Sequence, residues 1–139
     1  MALSSASTRT FRPLRVFVVE NHPDTLACVR LCLEQLGHTV CCADGVSQAL
    51  QVLPRASCDV LLCDLGLSDG DGFELLRHAQ EQLAGPFYAV AMSGHGTNSD
   101  HLASKAAGFQ HHLNKPFAPK QLAAVLADAA RWLPVSASA

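Results

Sequence analysis

The chain has 139 residues, 49 % of them apolar and 16 % charged, which suits one packed domain and leaves no room for two full-sized ones. A net charge of −2 with seven His gives no broad basic field for direct nucleic-acid binding. No apolar stretch approaches bilayer-spanning length, so no membrane role is expected.

Residues 1–13 begin a Ser-, Thr- and Arg-containing stretch without acidic residues, and they read as a flexible tail. The apolar patterning then alternates between strand and helix periods five times. A strand is predicted over 14–20, followed by a helix with Leu26, Val29, Leu33 and Leu36 at helical spacing and Gly37 placed to end it. A second strand is predicted over 38–43, and a short helix over 46–53 is closed by Pro54. The third strand, 58–63, runs into a Gly- and Asp-rich loop, after which Phe73, Leu76, Ala79 and Leu83 mark a third helix.

The fourth strand is predicted over 87–92. The fourth helix, around 100–107, carries little besides Leu102 and small alanines on its apolar face, so it should be easy to shift. A fifth strand over 109–113 precedes a helix with Leu122, Val125, Leu126, Ala129 and Leu133, and 134–139 form a second flexible tail. Five βα units predict an α/β, doubly wound, flavodoxin-like (βα)5 domain over 14–133. Its five-stranded parallel sheet would take the order 2-1-3-4-5, which suits this size although periodicity does not fix it. Cys28, Cys32, Cys58 and Cys63 fall at apolar-patterned positions and Cys41 and Cys42 in a strand. Without zinc-type CxxC spacing, all read as buried, reduced thiols of a cytoplasmic protein.

Four apolar runs end in reactive side chains. They are Val16–Val19 before Glu20 and Asn21, Val60–Cys63 before Asp64, Tyr88–Met92 before Ser93, and Phe109–Leu113 shortly before Lys115. The carboxyl ends of neighbouring parallel strands share one crevice, which would gather two carboxylates, an amide, a hydroxyl and an ammonium. That set suits capture of a phosphoryl group with a divalent cation. Taken singly, Asp64 could be a turn carboxylate, Ser93 a loop start and Lys115 a solvated charge; together they require four coincidences. Competing motifs fail on spacing. Gly94-His95-Gly96 is followed by Ser99 where a dinucleotide fingerprint needs its third Gly, the acidic run 69–74 does not fit a calcium loop, and no GxxxxGK[ST] occurs. Gly66 at the second position after Asp64 argues against the Asp-x-Asp phosphatases.

With Val18-Val19-Glu20-Asn21, Asp64-Leu65-Gly66-Leu67 with Asp69-Gly70-Asp71-Gly72, Ser93-Gly94 and Lys115-Pro116-Phe117 in order, the chain resembles the receiver domains of two-component response regulators and hybrid histidine kinases. The resemblance implies that Asp64 is a phosphoacceptor, taking a phosphoryl group from a histidine kinase or histidine phosphotransfer protein. It implies Mg²⁺ held by Glu20, Asn21, Asp64 and the Gly66 carbonyl, with Lys115 and Ser93 binding phosphoryl oxygens and a cis bond before Pro116. His112 matches the switch aromatic, usually Tyr or Phe, and adds a pH response. Gly66 and His95 match positions that border the path of attacking water. Output would pass to a protein partner through the fourth helix, fifth strand and fifth helix, in a signalling role and not that of a conventional enzyme. Asn21 departs from the usual pair of carboxylates and Ser68 from a common proline. The first keeps a second reading open: a degenerate receiver acting as a phosphorylation-independent interaction module.

Overall fold

The computed structural model describes residues 12–53, 58–94 and 98–134, except for the side chains of 98–100. Both predicted tails beyond these limits, Pro54 and His95 lie outside the described residues.

Five strands form one parallel sheet: β1 (Arg15–Val19), β2 (Thr39–Ala43), β3 (Val60–Asp64), β4 (Tyr88–Ser93) and β5 (His111–Asn114). They are interleaved with α1 (Pro23–Gln35), α2 (Val46–Val52), α3 (Gly72–Gln82), α4 (Asn98–Ala107) and α5 (Pro119–Trp132). In these labels the strand order is β2-β1-β3-β4-β5, the order expected from the sequence. A two-residue antiparallel ladder pairs Gly66–Leu67 with Gly70–Asp71 in the loop after β3. Strands begin and end a residue or two from the predicted limits, most visibly β5, which starts at His111 and not at Phe109.

Burial on both faces explains the unbroken apolar runs. Val16, Val18, Val60, Leu62, Val90 and Met92 point to the α1 and α5 side, against Val29, Leu33, Leu122, Val125 and Leu126. Phe17, Val19, Leu61, Cys63, Ala89 and Ala91 point to the other side, against Ala49, Leu53, Leu75, Leu76 and Ala79. Ordered burial of this kind contributes roughly 25 cal/mol per Å² of apolar surface. Gly37 ends α1 at φ 95°, a backbone conformation that L side chains rarely adopt.

The cysteine reading needs correction. All six are free, but only Cys63 is buried; Cys28 and Cys41 are exposed, and Cys32, Cys42 and Cys58 are half-buried. The inner stripe of α1 is Val29 and Leu33, which leaves Cys28 on the solvent side. β2 is an edge strand, which leaves its alternate residues open to water.

Candidate functional site

Strand register brings the reactive residues to one edge of the sheet. Val19 pairs with Cys63, Asp64 with Met92, and Ser93 with Asn114, so Glu20, Asp64, Ser93 and Lys115 follow neighbouring ladder rungs. Backbone pairing continues past the strands: Glu20 N donates to Ala43 O at 3.0 Å, Leu65 N to Met92 O at 2.9 Å, and Lys115 N to Ser93 O at 2.7 Å. Each reactive side chain is therefore anchored by its own main chain.

Lys115 binds the two carboxylates together. Its Nζ lies 2.6 Å from Glu20 Oε1 and 3.0 Å from Asp64 Oδ2. Glu20 is wholly buried and Asp64 nearly so. The second Glu20 oxygen accepts from His22 N at 3.0 Å, and Asp64 Oδ1 accepts from Gly66 N at 3.1 Å. The Glu20 Oε1 contact is close in distance but not aligned as a hydrogen bond, so this buried oxygen is held mainly by charge. Burial alone would lower the Lys115 pKa; the close approach and charge of Glu20 and Asp64 outweigh it and raise the pKa. The Lys115–Pro116 peptide is cis.

Below the carboxylates, Cys63 Sγ donates to Asp64 O at 3.3 Å. Burial, with Asp64, Glu20 and Asp71 nearby, pushes this thiol upward, so it stays protonated and unreactive. Gly72 lies so close to the β3 end that a Cβ there would come within 2.8 Å of Asp64 O and 3.1 Å of Cys63 Sγ. A Cβ on Gly66 would meet nothing within 4 Å, so the space over the loop after β3 is open. Asn21 is half-buried beside Glu20. The donor set is two carboxylates, an amide and a carbonyl, all hard oxygens of the kind Mg²⁺ prefers. Among the described residues no group of three or more His, Cys, Asp or Glu could hold a metal, and the third side chain of the set, Asn21, brings an amide in place of a carboxylate.

The other wall of the crevice is a hydrogen-bonded polar chain. Ser93 Oγ lies 2.7 Å from His112 Nε2, and His112 Nδ1 lies 2.9 Å from Ser104 Oγ. Ser104 donates on to His101 O at 3.0 Å. The His101 ring stacks on His112 at 4.0 Å and places Nε2 3.1 Å from Asn114 Oδ1.

Several participants escaped the sequence reading. Ser104 and His101 hold His112, and Asn114 holds His101. Asp69 crosses to α2, where its carboxylate accepts from Val46 N at 2.8 Å and Ser47 N at 3.0 Å, and those bonds lower its pKa. Asp71 caps α3 by accepting from Glu74 N at 2.8 Å. The DGDG run thus serves helix starts and does not add acid to the crevice. The sole hint for Ser104 was a small polar residue among alanines in a helix with few apolar groups.

An open, doubly wound α/β domain with an acidic crevice at its strand ends and a lysine across it defines a class of signalling domain. The family model of the response regulator receiver domain matches residues 16–127, and the chain belongs to that family. An uncharacterised 14.6 kDa protein in the sodA1 3′ region of Leptolyngbya boryana is 31 % identical, over 82 % of this chain and 88 % of that one. The KDP operon transcriptional regulatory protein KdpE of Escherichia coli is 33 % identical over 84 % of this chain, which spans 51 % of KdpE. Among solved structures, a two-component response regulator from Clostridium difficile superposes with a TM-score of 0.79 at 20 % identity, covering 85 % of this chain and 96 % of that one. The receiver domain of the Pseudomonas aeruginosa sensor histidine kinase PA1611, with magnesium coordinated in its active-site cleft, gives 0.75 at 24 % identity, covering 87 % and 98 %. These likenesses establish the receiver fold. Among the described residues no helix is long and apolar enough to cross a membrane.

Proposed function

We propose that the chain is a phosphoacceptor: Asp64 takes a phosphoryl group from a phosphohistidine of a histidine kinase or histidine phosphotransfer protein. The observation that carries this reading is Lys115 Nζ bridging Glu20 and Asp64 at 2.6 and 3.0 Å on the open edge of the sheet. An Asp64 carboxylate oxygen attacks phosphorus, a P–O bond forms as the P–N bond to the donor imidazole breaks, and an acyl phosphate results. Lys115 leaves one carboxylate oxygen to pair with a phosphoryl oxygen, and the Ser93 hydroxyl donates to another. Glu20, Asn21, Asp64 and the Gly66 carbonyl fit a Mg²⁺ ion, which when bound neutralises the repulsion between carboxylate and phosphoryl oxygens. PA1611's receiver domain supports that assignment by analogy.

Ser93 moving toward the phosphoryl group would release His112 and shift α4, which among its described side chains buries only Ser104. The face formed by α4, β5 and α5 then presents itself to a protein partner, with Leu102 and Trp132 exposed on α4 and α5. Direct nucleic-acid contact and membrane contact have no part in this reading, nor does turnover of an external substrate in the manner of a conventional enzyme; a cytoplasmic setting fits it.

Intact-mass analysis after incubation with acetyl phosphate and Mg²⁺ tests it. One phosphoryl adduct on the wild type and none on Asp64→Asn is the expected result. Asn21, which removes one negative charge from the acidic pair, favours a second reading: a receiver that signals through partner binding alone. That reading predicts no adduct and no Mg²⁺ binding.

A further inference from the structure

We infer that Ser104 and His112 are positioning residues that set the direction of the Ser93 hydroxyl. Neutral His112 keeps the Ser93 proton on itself, and protonated His112 frees that proton for a phosphoryl oxygen on Asp64. The inference rests on Ser93 serving a phosphoryl group, as proposed above.

Counting protons along the chain of contacts assigns every direction. Three contacts run in series: Ser93 Oγ to His112 Nε2 at 2.7 Å, His112 Nδ1 to Ser104 Oγ at 2.9 Å, and Ser104 Oγ to the His101 carbonyl at 3.0 Å. Three protons are available, one on each hydroxyl and one on a neutral imidazole. A carbonyl only accepts, so the last contact uses the Ser104 proton. Ser104 Oγ must then accept from His112, which puts the imidazole proton on Nδ1. His112 Nε2 is left as an acceptor, and the Ser93 hydroxyl 2.7 Å away donates to it. With the other tautomer, His112 Nε2 would donate to Ser93 Oγ, and the single Ser104 proton would have to serve both His112 Nδ1 and the His101 carbonyl, so one of those two contacts would go unmade.

In that arrangement Ser93 has no proton to offer across the crevice. Adding a proton to His112 Nε2 reverses a single bond in the chain: His112 now donates, Ser93 Oγ accepts, and the Ser93 hydroxyl hydrogen is free to turn toward Asp64. No heavy atom needs to move for this step. By linkage, whatever draws the Ser93 proton toward Asp64 must raise the proton affinity of His112 by the same factor. Among the described residues, the polar and charged groups facing this ring come from three elements. Ser93 belongs to β4, His101 and Ser104 to α4, and Lys105 of α4 and His111 of β5 share the shallow depression that the ring borders. Asp64 stands on the far side of Ser93 in strand order, and Lys115 follows β5, three residues after His112, with its ammonium turned to Glu20 and Asp64.

Long-range ¹⁵N–¹H NMR on the histidine-labelled full chain decides the assignment without any phosphoryl chemistry. His112 is expected as the Nδ1–H tautomer when neutral, and Ser104→Ala should populate Nε2–H; a wild-type ring already in the Nε2–H form overturns the inference. The second arm follows the His112 titration with and without beryllofluoride and Mg²⁺. Saturation should raise the proton affinity of His112 about tenfold, within the usual range of site-to-site coupling. Beryllofluoride affinity should in turn rise about tenfold on acidification through that titration, and that rise should be lost in His112→Phe. His101→Gln, which removes the stacked second ring, should retain it. Beryllofluoride binding with an unmoved His112 titration overturns the inference and leaves the phosphoacceptor reading standing. No beryllofluoride binding at any pH overturns the phosphoacceptor reading, and the release of the Ser93 proton to a phosphoryl group falls with it.

Discussion

The β1/β3 wall of the crevice and the β4/α4/β5 wall stand on either side of Asp64, and different forces hold them. Behind Glu20 and Asp64 lie Val18, Val19, Leu61, Leu62 and Cys63, all fully buried between two helical layers. Behind Ser93 and His112, the described inner face of α4 contributes Ser104, and Leu102 is 69 % exposed. The first wall is fixed by apolar packing, which is dense and tolerates no small displacement. The α4 side of the second is held by directional bonds among two serines, two histidines and an asparagine, which can be exchanged one at a time. The function proposed above calls for both properties: a rigid acceptor and a neighbouring surface whose position depends on what the acceptor carries.

The largest expected effect tests that contrast directly. Leu62→Ala removes a wholly buried side chain from the central strand and should destabilise the fold by about 3–5 kcal/mol. Leu102→Ala, on the thin wall, should change stability by less than about 0.5 kcal/mol. Urea denaturation of both variants measures the pair; equal losses would show that α4 is packed as firmly as the sheet, and the contrast between the walls would go.

Next in size is the lysine that joins the walls. Lys115→Met leaves the fully buried Glu20 carboxylate facing Asp64 without its cation. Breaking a wholly buried pair costs roughly 3–5 kcal/mol; with the Lys115 side chain 20 % exposed, about 2–3 kcal/mol is expected. Millimolar Mg²⁺ should restore part of that loss if the two carboxylates hold a cation, and thermal melts with and without the ion measure the difference. The pH dependence has a definite sign. The folded pKa of Lys115 is raised above its ordinary 10.5, so its contribution is complete below 10.5 and is lost as pH climbs through the folded value. The alkaline limb of the wild-type stability profile should therefore flatten in Lys115→Met.

How much of this could be read from the residues alone follows the same division. Glu20, Asp64, Ser93 and Lys115 were legible because each ends an apolar run, and parallel strands bring run ends together. The core of α5 was legible in full, since Leu122, Val125, Leu126, Ala129 and Leu133 keep strict helical spacing and all are buried. The polar wall was not. Ser104 is silent in the sequence because its burial depends on which face a weakly patterned helix turns to β5, and the stack of His101 on His112 joins residues eleven apart across a loop. The cysteines misled for a related reason. Cys28 neighbours the buried stripe of α1 without belonging to it, and a one-position offset on a helix is about 100° of rotation.

Two glycines that follow β3, Gly66 and Gly72, offer a smaller test of where the Asp64 wall is tight. Gly72→Ala would drive a Cβ to 2.8 Å from the Asp64 carbonyl, against backbone that cannot yield, and should cost about 1–3 kcal/mol. Gly66→Ala meets nothing within 4 Å and has no positive φ, so it should stay within about 0.5 kcal/mol of wild type. Denaturation midpoints report the first effect. The decay of the acyl phosphate on Gly66→Ala reports whether a side chain at the open position alters access of water to the phosphorus.

The smallest effect separates two histidines at opposite ends of the sheet. His38 is buried beside the start of β1, where its Nδ1 accepts from Leu14 N at 3.0 Å. Burial lowers its pKa, and the bond from Leu14 requires Nδ1 to be unprotonated. The unfolded chain therefore binds a proton below about 6.5 that the folded chain refuses, and stability falls as pH drops through that value. One such group contributes at most about 1.4 kcal/mol per pH unit. His38→Phe should lower stability at pH 7.5, because Leu14 N loses its acceptor, yet show a shallower acid limb than the wild type. At His112 an added proton would reverse one hydrogen bond and leave the apolar packing untouched. Acidification would then act on His38 as a load on the fold and on His112 as an input to the crevice. Stability profiles of His38→Phe and His112→Phe, measured side by side, show whether the two responses are separable.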